Sequence, residues 1–255
     1  MRLIAAEDTR HTRRLLTRYE ITTPTISYHE HNKLSRQEPI LAALAEGDVA
    51  LVSDAGTPAI NDPGYELVVA AIAAGFAVVP VPGASAPLAA LVAAGLPTAQ
   101  WTYLGFLPSR RSERRALLTQ YAQLTTTLIC FETPHRLRAA LDDLLVALGD
   151  RPMCAARELT KLHEEFVRGT TSTLIAHFAA HEPRGEFVLV IEGYVAPSAP
   201  AVAPDDWQTT ARARLRELYA EGMAGSAAAK RVAKELGVAR GDVYALWVGL
   251  EDDEE

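Results

Sequence analysis

The stretch from residue 49 to residue 74 constrains the fold most, because its sequence changes from apolar to polar and back to apolar over a short length. An apolar, β-branched run, Val49–Val52, stops at a loop of small and polar residues, SDAGTPAINDPG, which leads into an apolar helical pattern, Tyr65–Ala74. The run is too short for a helix, so the three parts predict one strand–loop–helix unit. In open α/β sheets ligands bind beyond the carboxyl ends of the strands, which makes this loop a candidate binding site. An ordinary connecting turn is the alternative.

The same order of strand, polar loop and helix recurs through the first 105 residues. Strands that alternate with helices predict a parallel sheet with helices on its faces. The predicted strands are Leu3–Ala6, Thr25–Tyr28, Val49–Val52 and Phe76–Val81. The loops that follow them are Glu7–Arg10, His29–Asn32, Ser53–Pro58 and Pro82–Ala86. Because the carboxyl ends of parallel strands meet at one edge, we expect these four loops to converge on one site.

The first two of these loops contain side chains that can do chemistry. Glu7, Asp8 and Arg10 follow the first strand, and they form either a solvated helix start or a substrate-facing cluster. The run His29-Glu30-His31 suggests zinc at first sight, but it stands on a loop with no third ligand nearby. A polar loop that contacts substrate is the better hypothesis, with a solvated loop as the alternative, and no metal site is expected.

Composition narrows the class of protein. The chain has 255 residues, 49% hydrophobic and 22% charged, which suits a soluble globular protein with more than one domain. Its net charge of −7 means that nucleic-acid binding must come from local patches. Cys130 and Cys154 lie in apolar runs, which favours buried free thiols in a reducing compartment. With no run of membrane-spanning length and no signal peptide, we expect a cytoplasmic protein without a membrane partner.

A second α/β domain is expected over residues 106–195, after a join at residues 102–108. Its predicted strands are Thr127–Phe131, Met153–Ala156 and Glu186–Glu192. Just before them, the segment SRRSERR at residues 109–115 contains four arginines. This cluster is either the exposed start of a helix or a phosphate-binding patch, for which Arg110 and Arg111 are the candidates.

The C-terminal region has a different composition. Residues 196–206, APSAPAVAPDD, predict a proline–alanine linker, and residues 207–250 are almost entirely helical in pattern. Within 207–250, seven Lys and Arg residues face four acidic ones, and Gly237 marks a tight turn between two helices, which is typical of a helix-turn-helix. The local excess of positive charge favours nucleic-acid binding, for which Lys230, Arg231 and Lys234 are the candidates. A dimerising or packing bundle is the alternative, and EDDEE at residues 251–255 predicts a frayed acidic tail.

Seven motifs occur in order along the chain: AAEDTRHTRRLL, LVSDAGTPAINDPG, VPGASA, LGFLP, FETPHRL, ARELTK and GEFVLVIEG. Together they resemble the small-subunit ribosomal RNA methyltransferases of the tetrapyrrole-methylase superfamily, over nearly the whole chain. The resemblance implies two α/β domains of tetrapyrrole-methylase type, a small C-terminal helix-turn-helix domain, and S-adenosylmethionine in the cleft between the α/β domains. It also implies 2′-O-methylation of a cytidine ribose in small-subunit rRNA by a homodimer.

The resemblance also implies roles for matching positions. The residues expected near the cofactor are Asp54, Ala55, Gly56, Thr57, Pro58, Pro82, Gly83, Ser85, Ala86, Glu132 and Thr133. Those expected on the RNA side are Glu7, Asp8, Arg10, His29 and Arg157. Members of this family carry a further strand and a Pro/Gly loop ahead of LIAAEDTR. We therefore expect the chain that starts at Met1 to bind the cofactor more weakly than one extended upstream.

The expected chemistry asks for orientation and a proton acceptor. A sulfonium methyl group is already electrophilic, so the protein must align the ribose oxygen and take its proton. The candidate acceptors are Asp8, Glu7, Asp54 and His29, and the residues alone do not choose among them. Two other functions stay open. One is a small-molecule tetrapyrrole methyltransferase, which would not need the basic C-terminal helices, and the other is a non-catalytic RNA-binding protein.

Overall fold

The computed structural model describes residues 1–196 and 207–252. The chain divides into two compact units, Met1–Tyr194 and Val195–Glu255. The strands are β1 Leu3–Ala6, β2 Thr25–Ser27, β3 Val49–Val52, β4 Trp101–Phe106, β5 Thr127–Glu132, β6 Pro152–Arg157, β7 Glu165–Thr170 and β8 Phe187–Ile191. The helices are α1 Thr9–Arg18, α2 Lys33–Glu46, α3 Tyr65–Ala73, α4 Ala86–Ala94, α5 Arg111–Gln120, α6 Pro134–Leu148, α7 Thr171–Ala180, α8 Trp207–Ala220, α9 Gly225–Leu236 and α10 Arg240–Asp252.

The first sheet is parallel and has three strands in the order β2–β1–β3. Ala5 of the central strand lies opposite Ile26 of β2 and is fully buried. It packs with Tyr28, with Ile40 of α2 and with Leu67 of α3 in one apolar cluster. The side chains of both helices thus pack on the small side chain of Ala5. Parallel pairing brings the loops after the three strands to one edge, as the sequence predicts.

The predicted strand Phe76–Val81 is wrong. Residues 76–81 have no regular secondary structure, and Val79 and Val81 are 78% and 87% exposed. A strand forms only where its backbone N–H and C=O groups pair with a neighbour. Among the described residues, no strand runs beside this segment. The loop Pro82–Ala86 therefore follows an irregular stretch rather than a fourth strand.

The second sheet is mixed and has five strands in the order β4–β5–β8–β6–β7. β4 pairs in parallel with β5, and the other pairs are antiparallel. Side chains of β5 alternate between the two faces, as the period of a strand requires. Leu128 and Cys130 pack with α5, α6 and α7, whereas Ile129 packs with Ala90 and Leu91 of α4. Helices therefore cover both faces of this sheet, and the core of the unit lies on either side of it.

Two stretches near the predicted domain join belong with the second sheet. The boundary predicted after residue 105 falls inside β4, because Trp101 already pairs with Thr127 of β5. Helix α4 also packs on this sheet, although the sequence pattern assigns it to the first domain. Both assignments depend on pairing between residues that are distant in the chain, which local patterns do not report.

The C-terminal unit is helical. α8, α9 and α10 enclose an apolar cluster that includes Leu215, Val232 and Trp247. Gly237, at a φ of 67°, ends α9 in the left-handed conformation that glycine adopts without strain, and α10 begins three residues later. The α/β class with an additional C-terminal helical unit is thus confirmed. Glu251 and Asp252 belong to α10 rather than to a frayed tail, while residues 197–206 of the predicted linker and residues 253–255 lie outside the described residues.

Candidate functional site

The loop Ser53–Gly64, between β3 and α3, lies at the centre of the candidate site. The Thr57 hydroxyl donates a hydrogen bond to the Ala84 carbonyl oxygen at 3.1 Å, which joins this loop to Pro82–Ala86. The Tyr103 hydroxyl on β4 donates to the Asn61 side-chain oxygen. The loop therefore connects the edge of the first sheet with the second sheet. Two of the four loops that the sequence predicts to converge, Ser53–Pro58 and Pro82–Ala86, are in direct contact.

Gly56 has a φ of 72°, which lies in the left-handed region that residues other than glycine rarely adopt. A Cβ atom at this position would have the Ala84 carbonyl oxygen, 4.0 Å away, as its nearest neighbour. The space beside the Gly56 backbone is thus open. Glycine is required here for its conformation, and it leaves room for a ligand to approach the main chain.

Acidic residues after β1 and β3 hold the two loops together. The Glu7 carboxylate accepts a hydrogen bond from the Asp54 backbone N–H at 3.1 Å. In return, the Asp54 carboxylate accepts one from the Asp8 backbone N–H at 3.3 Å. His11 Nδ1 lies 3.5 Å from the same Asp54 oxygen. The structure therefore brings the sequence-predicted residues Glu7, Asp8 and Asp54 together at the sheet edge.

Asp8 is committed to local structure. Its carboxylate caps α1 by accepting from the Arg10 backbone N–H at 2.8 Å, and it also accepts from the Arg10 guanidinium at 2.8 Å. These hydrogen bonds hold the pKa of Asp8 well below its usual range. A carboxyl group with so low a pKa is a weak proton acceptor near neutral pH. This geometry favours a structural role for Asp8 and Arg10.

His29 is fixed by its own loop. Its backbone N–H donates to the Asn32 side-chain oxygen at 2.8 Å, and its ring Nε2 lies 3.1 Å from the Asn32 amide nitrogen. The ring Nδ1 is buried, and no hydrogen-bond partner for it is found among the described residues. Lys33 pairs with Glu30 at 2.8 Å and with Glu66, which raises the pKa of the lysine. The β2–α2 loop is therefore ordered by hydrogen bonds.

Two cavities open at this sheet edge. The smaller, of about 460 Å³, is called here the Asp54 cavity and is lined by Asp8, Arg10, His11, Arg14 and Asp54. The larger, of about 650 Å³, is called the Asp62 cavity. Its walls come from the loops after β1, β2 and β3 and from the start of α3. The residues lining it include Glu7, His29, Lys33, Asn61, Asp62 and Tyr65. Both volumes lie in the range of small-molecule sites.

Asp62 is the titratable residue of the site that the sequence analysis missed. It is half-buried, and burial together with the neighbouring Glu7 carboxylate raises its pKa to about 6. Asp54 and Glu186 push the pKa of Asp62 in the same direction, and a hydrogen bond with Ser53 opposes them. The sequence interprets Asp62 only as part of an Asp-Pro-Gly turn. No local signal shows that the carboxyl group is buried beside other carboxylates.

Several sequence-predicted residues are engaged away from these cavities. Glu132 is buried, accepts from the Thr133 backbone N–H at 2.8 Å and pairs with Arg136 at 3.1 Å. Arg157 pairs with Glu165 at 3.3 Å. No hydrogen bond or ion pair described for Glu132 or Arg157 reaches the loop Ser53–Gly64. The cofactor role of Glu132 and Thr133 and the RNA role of Arg157 stay predictions.

Within the segment SRRSERR at residues 109–115, two arginines form buried or half-buried ion pairs that stabilise the fold. Arg114 is buried and pairs with the fully buried Asp143 at 2.6 Å, and Arg115 pairs with the other oxygen of that carboxylate at 2.6 Å. Arg111 reaches the same oxygen at 3.1 Å with most of its side chain exposed. Arg110 is exposed and pairs with Glu113 at 3.1 Å. Arg110 and Arg111 are the members whose exposure allows a phosphate contact.

On the C-terminal unit, Lys230, Arg231 and Lys234 are exposed along α9. Arg231 pairs with Glu235 at 3.1 Å. Lys230 and Lys234 stand one helical turn apart, so both side chains project from the same face. They supply two cations on one face of the helix.

The edge of the first sheet fits the cofactor that the resemblance implies. The open main chain at Gly56 and the small side chain of Ala55 leave room for close approach. The carboxylates of Glu7 and Asp54 provide negative charge suited to a cationic sulfonium ligand. Within residues 1–196 and 207–252, no group of three or more His, Cys, Asp or Glu side chains could hold a metal ion.

Comparison with known proteins identifies the class first. Residues 2–175 match the family model described as Tetrapyrrole (Corrin/Porphyrin) Methylases. The fold is similar to that of a cobalt precorrin-4 methyltransferase, with a TM-score of 0.54 and 18% identity over 74% of this chain and 83% of that one. It is also similar to diphthine synthase, with a TM-score of 0.54 and 11% identity over 75% of this chain and 79% of that one. The chain is a member of the tetrapyrrole methylase family.

Curated relatives define the group within that family. The chain is 48% identical to ribosomal RNA small subunit methyltransferase I of Synechocystis sp., over 98% of this chain and 89% of the relative. It is 45% identical to the protein of the same name from Halalkalibacterium halodurans, over 96% of this chain and 84% of the relative. The chain therefore belongs to the ribosomal RNA small subunit methyltransferase I family.

Proposed function

We propose that this protein transfers a methyl group from S-adenosylmethionine to small-subunit ribosomal RNA. The observation that carries the proposal is similarity to relatives of that name over 96% and 98% of this chain, together with a polar sheet edge that has two cavities of ligand size. Following the resemblance of its motifs, the acceptor is the 2′-oxygen of a cytidine. The bound cofactor supplies an electrophilic methyl group, and the chain supplies orientation and a proton acceptor.

The cofactor side of the site is assigned to the touching loops Ser53–Pro58 and Pro82–Ala86. The hydrogen bond from the Thr57 hydroxyl to the Ala84 carbonyl oxygen supports this assignment because it holds the two loops next to each other. Gly56 lets the ligand approach the main chain, and Asp54 provides compensating charge. The other residues assigned to this side are Ala55, Pro58, Pro82, Gly83, Ser85 and Ala86.

The RNA side is assigned to the remaining edge residues and to cationic patches elsewhere. Glu7 and His29 line the Asp62 cavity, beside the cofactor loops. Exposed cations at Arg110 and Arg111, and at Lys230 and Lys234, are suited to backbone phosphates. The excess of positive charge over residues 207–250 in an acidic chain supports RNA binding by the C-terminal helices.

Assembly and location follow from the same proposal. No helix within the described residues is long and apolar enough to cross a membrane. We place the protein in the cytoplasm, where ribosomal RNA is processed, and we propose the homodimer that the resemblance implies. Sedimentation at micromolar concentration tests the dimer, and a monomer at all concentrations would contradict it.

The experiment for the proposed function compares acceptors. Small ribosomal subunits purified from cells that lack this protein are incubated with S-adenosylmethionine carrying a labelled methyl group, and the RNA is then digested to nucleosides. We expect label in 2′-O-methylcytidine from the small subunit and none in large subunits. Uroporphyrinogen III serves as the tetrapyrrole acceptor. Transfer to that macrocycle and not to RNA would contradict the proposal.

A further inference from the structure

We propose that Asp62 accepts the ribose hydroxyl proton from a target nucleoside held in the Asp62 cavity, an inference that rests on the proposed function. Three other candidate acceptors are already engaged with main-chain groups. Glu7 accepts from Asp54, Asp54 accepts from Asp8, and Asp8 caps α1. Asp62 instead has a side-chain hydrogen bond with Ser53 and lines the larger cavity together with Glu7 and His29.

The charge of the Asp62 cavity suits a nucleoside rather than a phosphate. Four carboxylates line it, those of Glu7, Glu30, Asp62 and Glu66. Its lysine, Lys33, is paired with Glu30 and Glu66, which leaves little positive charge for an anion. Carboxylates accept hydrogen bonds from hydroxyl and amino groups. The cavity therefore favours the ribose and base of a nucleotide, with its phosphates outside.

An aromatic side chain stands at the rim of the same cavity. Tyr65, the first residue of α3, is 68% exposed and lines the cavity. Proteins that read single-stranded RNA stack unpaired bases on exposed aromatic rings. We assign Tyr65 to stacking of the target base, which would direct the ribose toward the interior where Asp62 lies.

In the proposed step, one bond to carbon forms as another breaks. The Asp62 carboxylate takes the proton from the 2′-hydroxyl while a lone pair of that oxygen forms the new C–O bond. The C–S bond of the sulfonium breaks, and its electron pair stays on sulfur. A proton acceptor is most effective when its pKa lies close to the working pH. Enough of it is then deprotonated to accept a proton, and it is still basic enough to drive the transfer. Burial and the neighbouring carboxylates raise the pKa of Asp62 to about 6, which meets this condition.

Other titratable groups lie near Asp62, so the pH dependence of the rate needs control variants. Glu7, Asp54 and Glu186 approach it from three separate segments, and Tyr103 lies near it on β4. His29 and His31 line the same cavity, and their imidazole rings are ionisable groups that must be controlled for. A pH slope due to Asp62 must therefore disappear in Asp62→Asn and persist in His31→Asn.

The main experiment measures methyl transfer by Asp62→Asn, with Asp48→Asn as the matched control on an exposed position. We expect Asp62→Asn to lower kcat at least about 100-fold, as loss of a general base does. Affinity for S-adenosylmethionine should change less than about twofold, which also reports that the variant is folded. Asp48→Asn should match the wild type. A loss of less than 100-fold would overturn the proposal.

Two further measurements do not depend on folding of Asp62→Asn, and the second of them does not depend on turnover. Asp62→Glu should keep a rate that rises with pH, as in the wild type, because it retains a carboxylate. In the wild type, carbon-13 NMR of the Asp62 carboxyl should shift on addition of cytidine and not of 2′-deoxycytidine, which lacks the hydroxyl. Equal shifts with both nucleosides would refute contact with that group. A wild type inactive on RNA would instead refute the proposed function itself.

Discussion

At the scale of single residues, the candidate site depends on a few side chains and one main-chain conformation. Gly56 adopts a left-handed φ beside open space, and Asp62 has its carboxyl group half-buried near other carboxylates. Glycine adopts this φ without strain, whereas burial of the Asp62 carboxylate costs folding free energy. Carboxyl groups with a shifted pKa are common where a protein binds a ligand or carries out chemistry.

Gly56→Ala separates conformation from binding, with Gly75→Ala as its matched control. Both glycines have positive φ, 72° and 83°, and at neither would a Cβ atom be crowded. We expect each substitution to lower the free energy of unfolding by about 1 kcal/mol, the cost of a left-handed alanine. Only Gly56→Ala should weaken binding of S-adenosylmethionine, by at least about tenfold, in calorimetry. Equal affinity in the two variants would move the cofactor away from this loop.

Asp62→Asn should stabilise the fold at high pH. The pKa of Asp62 is raised in the folded state, so the wild type loses stability as pH rises from about 4 through about 6. Asparagine has no charge to bury, so the variant does not lose stability over this pH range. Allowing for the exposed part of the side chain, we expect a gain of about 1 kcal/mol at pH 8 and none at pH 3.5. Urea unfolding at the two pH values measures this, and a variant less stable than wild type at pH 8 would contradict it.

At the scale of elements, one buried carboxylate ties two helices together. Asp143 of α6 accepts hydrogen bonds from Arg111, Arg114 and Arg115 of α5, and these contacts hold its pKa below the usual range. Among the residues of this segment, Arg114 is itself buried. The segment SRRSERR therefore supplies an interhelical anchor and, at its exposed end, cations available to RNA.

Asp143→Asn should destabilise the first unit by about 3 kcal/mol at neutral pH, because it leaves the Arg114 guanidinium buried without a charge partner. Arg111→Ala, on the exposed side of the same cluster, should cost less than about 1 kcal/mol. The deficit of Asp143→Asn should shrink as pH falls below about 4, because the unfolded wild type takes up a proton there while the folded carboxyl, whose pKa is lowered, does not yet do so. Thermal unfolding followed by circular dichroism tests all three expectations. Equal effects of the two substitutions would show that Asp143 is not the anchor.

At the scale of the whole molecule, each of the two compact units has its own apolar core. The first carries both cavities, and the second carries the exposed lysines of α9. Cofactor binding and RNA affinity should therefore respond to different substitutions.

The double substitution Lys230→Gln and Lys234→Gln tests that separation. Removing two phosphate contacts should weaken rRNA binding and reduce the slope of log affinity against log salt by about 1.5. Affinity for S-adenosylmethionine should not change. Arg2→Gln, which removes an exposed cation from the first unit, is the control and should leave the slope as it is. An unchanged slope in the double variant would exclude these lysines from the RNA interface.

The sequence by itself determined the local units. The turn chemistry after Val52, the buried apolar run of β8 and the glycine between α9 and α10 were each readable because their causes lie within a few residues. The ordered motifs were enough to predict the α/β class, the C-terminal helices and the methyltransferase family, and the fold and comparisons confirm these.

Only the tertiary structure decided which elements pair and which side chains become buried. Phe76–Val81 has the composition of a strand but lacks a neighbour to pair with, and β4 joins the second sheet through β5. Asp62 looks like a turn residue until the fold surrounds it with Glu7, Asp54 and Glu186. Hydrogen-bond pairing between strands and desolvation of a carboxyl group both depend on residues far apart in the chain, so no local pattern reports them.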